Sequence, residues 1–440
     1  MALIERRLAD VVVEAMGSAR VVALLGPRQA GKSTLARMLA EERLEAEYLS
    51  LDDEPVRALA LADPAGFVAA RERPVVIDEV QRAPELLLAI KSRVDRHTAR
   101  GQFLLTGSAN LRRIPTVSDA LPGRVDYLTL WPLTQGEIAG RREQLLPRLL
   151  DGHAPPPLTG APVGRHHYAK MLLAGGFPEA RMRPPGALRT RFFSSYVDSI
   201  VDRDVPDTSH VRDPATVGTL LRLLAARSGS LARYDALARD VGIDGKTAKS
   251  HVEVLERLFL VRVRRPWHVN LGERQVKAPK LYLSDTGLMA SLIGADEHRI
   301  RDDDGLAGAL FETFVVTELE RQASWLPEPL SFWHYRDGER EVDVVIERPS
   351  GEIAGIEVKA SATVRPRDFN GLRHLRTHLG PRLRAGIILY AGAHTLPFGE
   401  RLWAVPLQAL WGTALSRGTE APRPRARKNR GPARTIPRYH

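Results

Sequence analysis

The stretch Val21–Leu39, VVALLGPRQAGKSTLARML, decides how the rest of the chain is read. The apolar run from Val21 to Leu25 has the make-up of a short buried strand. A Gly-x-x-x-x-Gly-Lys-Ser loop follows and leads into a helical stretch. This spacing has a mechanism. Gly26 and Gly31 permit backbone conformations that turn N–H groups onto phosphate oxygens. The helix starting near Lys32 points its positive end at the same anion. Lys32 is expected to reach the β- and γ-phosphates of ATP, and the Ser33 hydroxyl to bind Mg²⁺. The expected nucleotide-contacting set is Gly26, Pro27, Arg28, Gln29, Ala30, Gly31, Lys32, Ser33 and Thr34.

Downstream, VVIDEV (Val75 to Val80) ends an apolar strand in two acids. Asp78 is placed to meet Mg²⁺ through water, and Glu79 to orient or deprotonate an attacking water. Further short strands are expected at Glu47 to Leu51, Gln102 to Thr106 and Val125 to Leu130, with helices between them. Continuously apolar strands alternating with helices predict a parallel sheet covered on both faces. Arg124, just before the last of these strands, is a candidate arginine finger that neutralises charge during phosphoryl transfer. A finger acting in trans implies a homo-oligomer.

Composition bounds the rest. The chain has 440 residues, 43% of them hydrophobic and 27% charged, which is ordinary for a folded protein of several domains. No apolar run approaches the roughly 18 residues of a bilayer span, so no membrane partner is expected. Cysteine is absent, which rules out disulfides and cysteine-based zinc sites and fits a cytoplasmic location. Of the net charge of +11, +7 falls in the tail from Ser416 to His440 (eight Lys and Arg against one Glu), where Pro, Gly and Arg predominate. That tail is expected to be disordered and able to add sequence-independent affinity for DNA.

Between the ends, DGHAPPPLTGAPVG (Asp151 to Gly164) reads as the heart of a linker over 146–165. A helical section is expected over 166–227. The segment 228–290 has the rhythm of a winged helix, with Lys246, Lys249 and His251 on its second helix and Arg262, Arg264 and Arg265 on its wing as candidate DNA-phosphate contacts.

The C-terminal section, about 300–412, contains EVDVVIERPSGEIAGIEVKA, two strands joined by a turn at Pro349 to Gly351. Alternation places Val342, Val344, Ile346, Ile356 and Val358 on one face and Asp343, Glu357 and Lys359 on the other. Asp343 and Glu357 are candidate Mg²⁺ ligands, with Lys359 to orient water or stabilise negative charge. On the preceding helical stretch FETFVVTEL, Glu312 and Glu318 flank an apolar stripe, one on each side, and either could complete the metal site; the G-x-x-F-E pattern resembles the first acid of Holliday-junction-resolvase-like nucleases, which implies Glu312.

The combination GPRQAGKST, VVIDEVQRAPELL, FLLTGSAN and WPLTQGEI resembles the AAA+-like P-loop ATPases that carry a C-terminal DUF4143 domain. The stretches GGFPEA, YVDSIVDRDV, KLYLSDTGL, GALFETFVVTEL and IEVKA resemble the same family, so the likeness covers nearly all of the chain except the tail. It implies an AAA+-like domain over 1–145. It also implies a polar sensor of the γ-phosphate after the fourth strand, for which Ser108 is the candidate and Asn110 the second. The order helix Glu, strand Asp, strand Glu-x-Lys resembles the PD-(D/E)XK, restriction-endonuclease-like nucleases. Together these readings lead to the expectation of a DNA-directed ATPase with a nuclease-like C-terminal domain that cuts phosphodiesters with Mg²⁺. The alternative is a non-catalytic ATP-dependent switch controlling a protein or DNA partner.

Overall fold

The fold is taken from a computed structural model that describes residues 3–108, 123–155, 163–209, 211–268 and 278–412. The N-terminal domain is built on five strands, β1 (Val21–Leu25), β2 (Glu47–Ser50), β3 (Val75–Asp78), β4 (Phe103–Gly107) and β5 (Val125–Thr129), in the order β2-β3-β4-β1-β5. Every pairing is parallel. Strand alternation explains the two apolar layers. Val21, Ala23, Leu25, Ile77 and Leu105 pack with Leu86 and Ile90 of the helix Leu86–Arg96 on one face. Val22, Leu24, Val76 and Leu104 pack with Leu35 and Leu39 of the helix Lys32–Glu42, and with Val12 of Leu8–Ser18, on the other. The sheet covered on both faces is therefore as expected, and β4 separates the P-loop strand from the strand that ends in Asp78.

The helical section contains Arg165–Ala174, Pro178–Met182, Ala187–Ser199 and Pro214–Ala226, the third running on through a π-helical turn, Ile200–Asp204. A short strand, β6 (Ser230–Leu231), then two helices, Tyr234–Val241 and Gly245–Arg257, lead to β7 (Val261–Arg264) and β8 (Lys280–Leu283), and the three strands form an antiparallel sheet ordered β6-β8-β7. The pairing of β7 with β8 puts the two expected wing strands side by side. The C-terminal domain carries a helix, Asp304–Ala323. It packs on a mixed sheet of β9 (Ser331–Asp337), β10 (Arg340–Glu347), β11 (Ile353–Lys359), β12 (Leu383–Tyr390), β13 (Leu396–Pro397) and β14 (Leu402–Pro406).

These last three sections are not separate lobes. Phe193 and Leu220 of the helical section, Tyr282 of β8, Phe311 of the long helix and Ile356 of β11 belong to one continuous core. The expected linker over 146–165 starts later than predicted. Leu145–Leu150 is a helix, and Leu145, Leu146, Leu149 and Leu150 are all buried in that common core. Its one proline, Pro147, falls in the first turn, where no intrahelical N–H is lost. The basic tail 416–440 lies outside the described residues. No described helix is long and apolar enough to cross a membrane.

Candidate functional site

The parallel sheet brings the C-terminal ends of β1, β3 and β4 to one edge, and the phosphate loop grows from that edge. Gly26 has φ of +151°, and a Cβ there would lie 2.1 Å from the Leu130 carbonyl oxygen. Only glycine fits this approach. Gly31, at φ +95°, turns the chain into the helix Lys32–Glu42. Lys32 is buried, and its Nζ donates to the carbonyls of Gly26 (3.0 Å) and Pro27 (2.9 Å). Burial lowers its pKa, opposed by Glu79 and Asp78. A buried ammonium held only by its own loop's carbonyls is suited to a phosphate.

Two groups at this edge were not singled out from the sequence. Thr106, the fourth residue of β4, donates its hydroxyl to Asp78 Oδ1 at 2.6 Å and accepts the Glu79 N–H at 2.9 Å. One side chain thus fixes both acids. Glu79 itself sits at φ +57°, an uncommon backbone conformation for a residue with a side chain. Its carboxylate is bonded by the Gln81 amide, which also donates to Ser108 Oγ at 2.9 Å. Ser108 therefore meets Glu79 through Gln81, while Thr106 holds it directly. Asn110 lies outside the described residues. The second missed group is Arg6. Buried beneath the loop, it donates to Ala30 O (2.8 Å), Trp131 O (2.6 Å) and Glu137 Oε1 (3.0 Å).

Arg124 is not at this edge. It adjoins Val125, which pairs with Val21 at the opposite end of β1, about 13 Å of strand away from Leu25. There it pairs with Asp95 (3.0 Å). It does not reach the nucleotide site of its own chain, so a finger role is left only in trans.

Across the edge stands the helical section. A cavity of about 970 Å³ is lined on one side by Arg28, Lys32, Ser33 and Glu79 and on the other by Arg181 and Tyr196. Arg28 spans it, donating to Ser199 Oγ at 3.0 Å and pairing with Asp204 at 3.4 Å, while the Tyr196 hydroxyl donates to Arg28 O at 3.4 Å.

The C-terminal acids do converge, with differences from the expectation. Val342 does not share a face with Val344 and Ile346. The β9–β10 register shifts between Val342 and Val345, so Val342 packs with Leu372 and Leu375 while Val344 and Ile346 enter the common core. At this bulge Asp343 Oδ2 accepts the Val358 N–H at 2.9 Å. Asp343 stands between the other two acids. Burial, and then the Asp343 charge, push the carboxyls of both Glu312 and Glu357 above their ordinary range. Glu357 pairs with Lys359 at 2.8 Å, and its second oxygen has no hydrogen-bond partner. Glu318 is elsewhere: buried, it accepts the Gln135 N–H at 2.8 Å and joins the two end domains.

Lys280 of β8, unnoticed in the sequence, enters this cluster. Its Nζ lies 2.8 Å from Glu312, 2.6 Å from Glu341 and 3.3 Å from Asp343. The Tyr282 hydroxyl donates to Glu312 at 2.6 Å. The ammonium occupies Glu312, Glu341 and Asp343, so these three do not offer free oxygens to Mg²⁺, which needs oxygen ligands at about 2.1 Å in octahedral array, while Glu357 is paired with Lys359 instead. Among the described residues no group of three or more His or acid side chains is arranged to hold a metal ion.

The winged-helix cations are also partly committed. Arg262 and Arg264 both pair with buried Glu320 of the long helix, and Arg262 lies over the Trp131 ring at 4.0 Å. His251 is buried. Lys246 and Lys249 are exposed.

Comparison with known proteins matches residues 18–139 to the family described as AAA domain, 165–299 to DUF8612 and 307–410 to DUF4143. Uncharacterized protein Rv2008c of Mycobacterium tuberculosis is 31% identical over 413 residues, covering 93% of this chain and 86% of that protein. Uncharacterized protein Mb2031c of Mycobacterium bovis matches equally. This chain belongs to their family. Among solved structures, a STAND signal-transduction ATPase with a tetratricopeptide repeat sensor from Pyrococcus horikoshii is 12% identical, with a TM-score of 0.25 over 72% of this chain and 45% of that one. RuvB of Thermotoga maritima is 18% identical, with a TM-score of 0.25 over 59% and 87%.

The stretches that carry the family resemblance meet at one buried junction. Arg321 donates to Leu133 O (3.0 Å), Ser284 O (2.9 Å) and Asp285 (3.0 Å), and Asp285 in turn accepts the Gly176 N–H at 2.7 Å. The AAA domain, helical section, wing and DUF4143 domain are thereby bonded to one another around a single guanidinium.

Proposed function

We propose that this protein is an ATPase working as a conformational switch, in which the nucleotide controls how the helical section sits against the AAA domain and so governs binding of a protein or DNA partner. The observation that carries this reading is the cleft bridged by Arg28: the same residue belongs to the phosphate loop and is bonded to Ser199 and Asp204 across the cavity. A triphosphate entering the loop competes for Arg28 and Lys32. Lys32 would turn from the Gly26 and Pro27 carbonyls to the phosphates. Ser33 and Asp78 would hold Mg²⁺, which when bound neutralises phosphate charge. Glu79, fixed by Thr106 and Gln81, would accept the proton of the attacking water. Arg181, from the far wall, would place a positive charge opposite the loop. The C-terminal domain serves here as a platform, since Lys280 fills its acid cluster.

The test is ATP turnover together with hydrogen exchange of Ala187–Asp204, with and without a non-hydrolysable ATP analogue. Wild type is expected to turn over ATP and to change its exchange in this segment. Lys32→Ala should do neither. Turnover without any exchange change would sink the switch.

Duplex DNA as the controlled partner is supported by Lys246 and Lys249, exposed on the helix Gly245–Arg257. Phosphate contacts of this kind weaken with salt. Binding that is salt-dependent and lost in a Lys246→Ala, Lys249→Ala double variant would favour DNA, and unchanged binding would remove it.

A further inference from the structure

We infer that Lys280 is the resident cation of the DUF4143 acid cluster, standing where a divalent metal would otherwise bind and locking the wing to the C-terminal domain.

The stoichiometry supports this. An ammonium has three N–H donors, and Lys280 has three carboxylate partners, Glu312, Glu341 and Asp343. The acids come from two elements: Glu312 from the long helix, and Glu341 and Asp343, two residues apart, from β10. Two further bonds hold the acids, the Tyr282 hydroxyl on Glu312 and the Val358 N–H on Asp343, while the Glu341 side chain stays 33% exposed. Lys359 is already committed to Glu357.

Position matters as much as charge. Lys280 lies in the central strand of its sheet, paired with Leu231 on one side and Arg264 on the other, so its backbone is fixed. Lys280 and Tyr282, two residues apart on one strand, present to the same face and both meet Glu312. The neighbouring backbone closes in as well: a Cβ at Gly229 would lie 3.3 Å from Glu312 Oε2. The cluster is nonetheless not sealed. A cavity of about 510 Å³ reaches Lys280 and Glu341, lined also by Arg227, Arg233 and Arg336. The cavity opens onto Lys280 and Glu341 past these arginines. The contact is also interdomain, so the same lysine ties the wing to the long helix and to β10.

The consequence is specific. Removing the ammonium leaves three mutually repelling carboxylates, and a hard divalent cation that draws them together would relieve that repulsion. The experiment is Mn²⁺ binding to the full-length, nucleotide-free chain, read by electron paramagnetic resonance of free Mn²⁺ and by thermal melting. Wild type is expected to bind no Mn²⁺ that depends on Asp343, and Mn²⁺ should not raise its melting temperature. Lys280→Ala should gain one Mn²⁺ at least tenfold tighter than wild type, be stabilised by it, and lose it again in a Lys280→Ala, Asp343→Asn double variant. Lys280→Met, which keeps the apolar stem, is the second variant should the alanine chain fail to fold. A folded lysine variant that binds no Mn²⁺ overturns the inference. So does a wild type whose bound Mn²⁺ disappears in Asp343→Asn, and that comparison needs no lysine variant at all.

Discussion

Arg321 and Asp285 form an ion pair at 3.0 Å in which the two side chains are 5% and 0% exposed. A pair so buried contributes little by itself, because desolvation offsets attraction, but breaking it strands a charge. Arg321 also satisfies the carbonyls of Leu133 and Ser284. Arg321→Ala should therefore destabilise the chain by about 3–5 kcal/mol. Urea unfolding followed by tryptophan fluorescence measures it. Because the junction joins all four sections, the loss should appear in the helical, winged-helix and DUF4143 regions together.

Thr106 offers a catalytic test that does not disturb the nucleotide pocket. Thr106→Val keeps the shape and removes the donor to Asp78 and the acceptor for the Glu79 N–H. ATP turnover should fall about tenfold to a hundredfold, the range expected when a reacting group is displaced by about an ångström. KM should change by less than about threefold, since Lys32 and the loop are untouched. Thr106→Ser should restore most of the rate. A loss in KM alone would show that Thr106 acts on binding instead.

Gly26→Ala should abolish nucleotide binding. Its methyl would lie 2.1 Å from Leu130 O, backbone that cannot move aside cheaply. The loop must shift off β5, and fluorescent ATP-analogue titration should show no saturable binding. Retained binding would mean that β5 yields.

Glu318 gives a pH dependence. Burial raises its pKa to about 8, one oxygen accepting the Gln135 N–H while the other has no partner. In the unfolded chain a glutamate titrates near 4.3. The folded state thus binds the proton more tightly, so its stabilising effect is complete below about pH 4.3 and is lost as pH rises toward 8. Stability should fall between pH 5 and 8, and Glu318→Gln, permanently neutral, should flatten that slope. Denaturant midpoints across the range decide it.

Much of the nucleotide site was legible because it is local. Gly26, Lys32 and Ser33 act through one turn of chain, and Asp78 and Glu79 through one strand end. In FLLTGSAN the sequence points to Ser108 as the polar residue of the site, although Thr106 lies two residues before it. Which of them meets the acids depends on β4 lying beside β3, with Ile77 opposite Leu105, and that neighbour relation leaves no mark in the local pattern. The predicted strand face failed at Val342 because a bulge shifts the register, and period-two counting assumes none. Arg262 and Arg264 looked available for DNA because their partner, Glu320, lies 56 to 58 residues further on.

The sequence by itself determined the strand, loop and helix around Gly26–Ser33, the acidic strand end at Asp78, and the placing of Glu357 and Lys359 on one face of a strand. Each follows from backbone geometry or side-chain period within a few residues. Only the tertiary structure decided what those groups face. Arg28 meets Asp204 across a cleft, Arg124 sits at the far end of the sheet, and Lys280 fills an acid cluster 32 and 63 residues downstream. Charges act through space over a few ångströms, and which residues come that close is set by the packing of elements, not by their order along the chain.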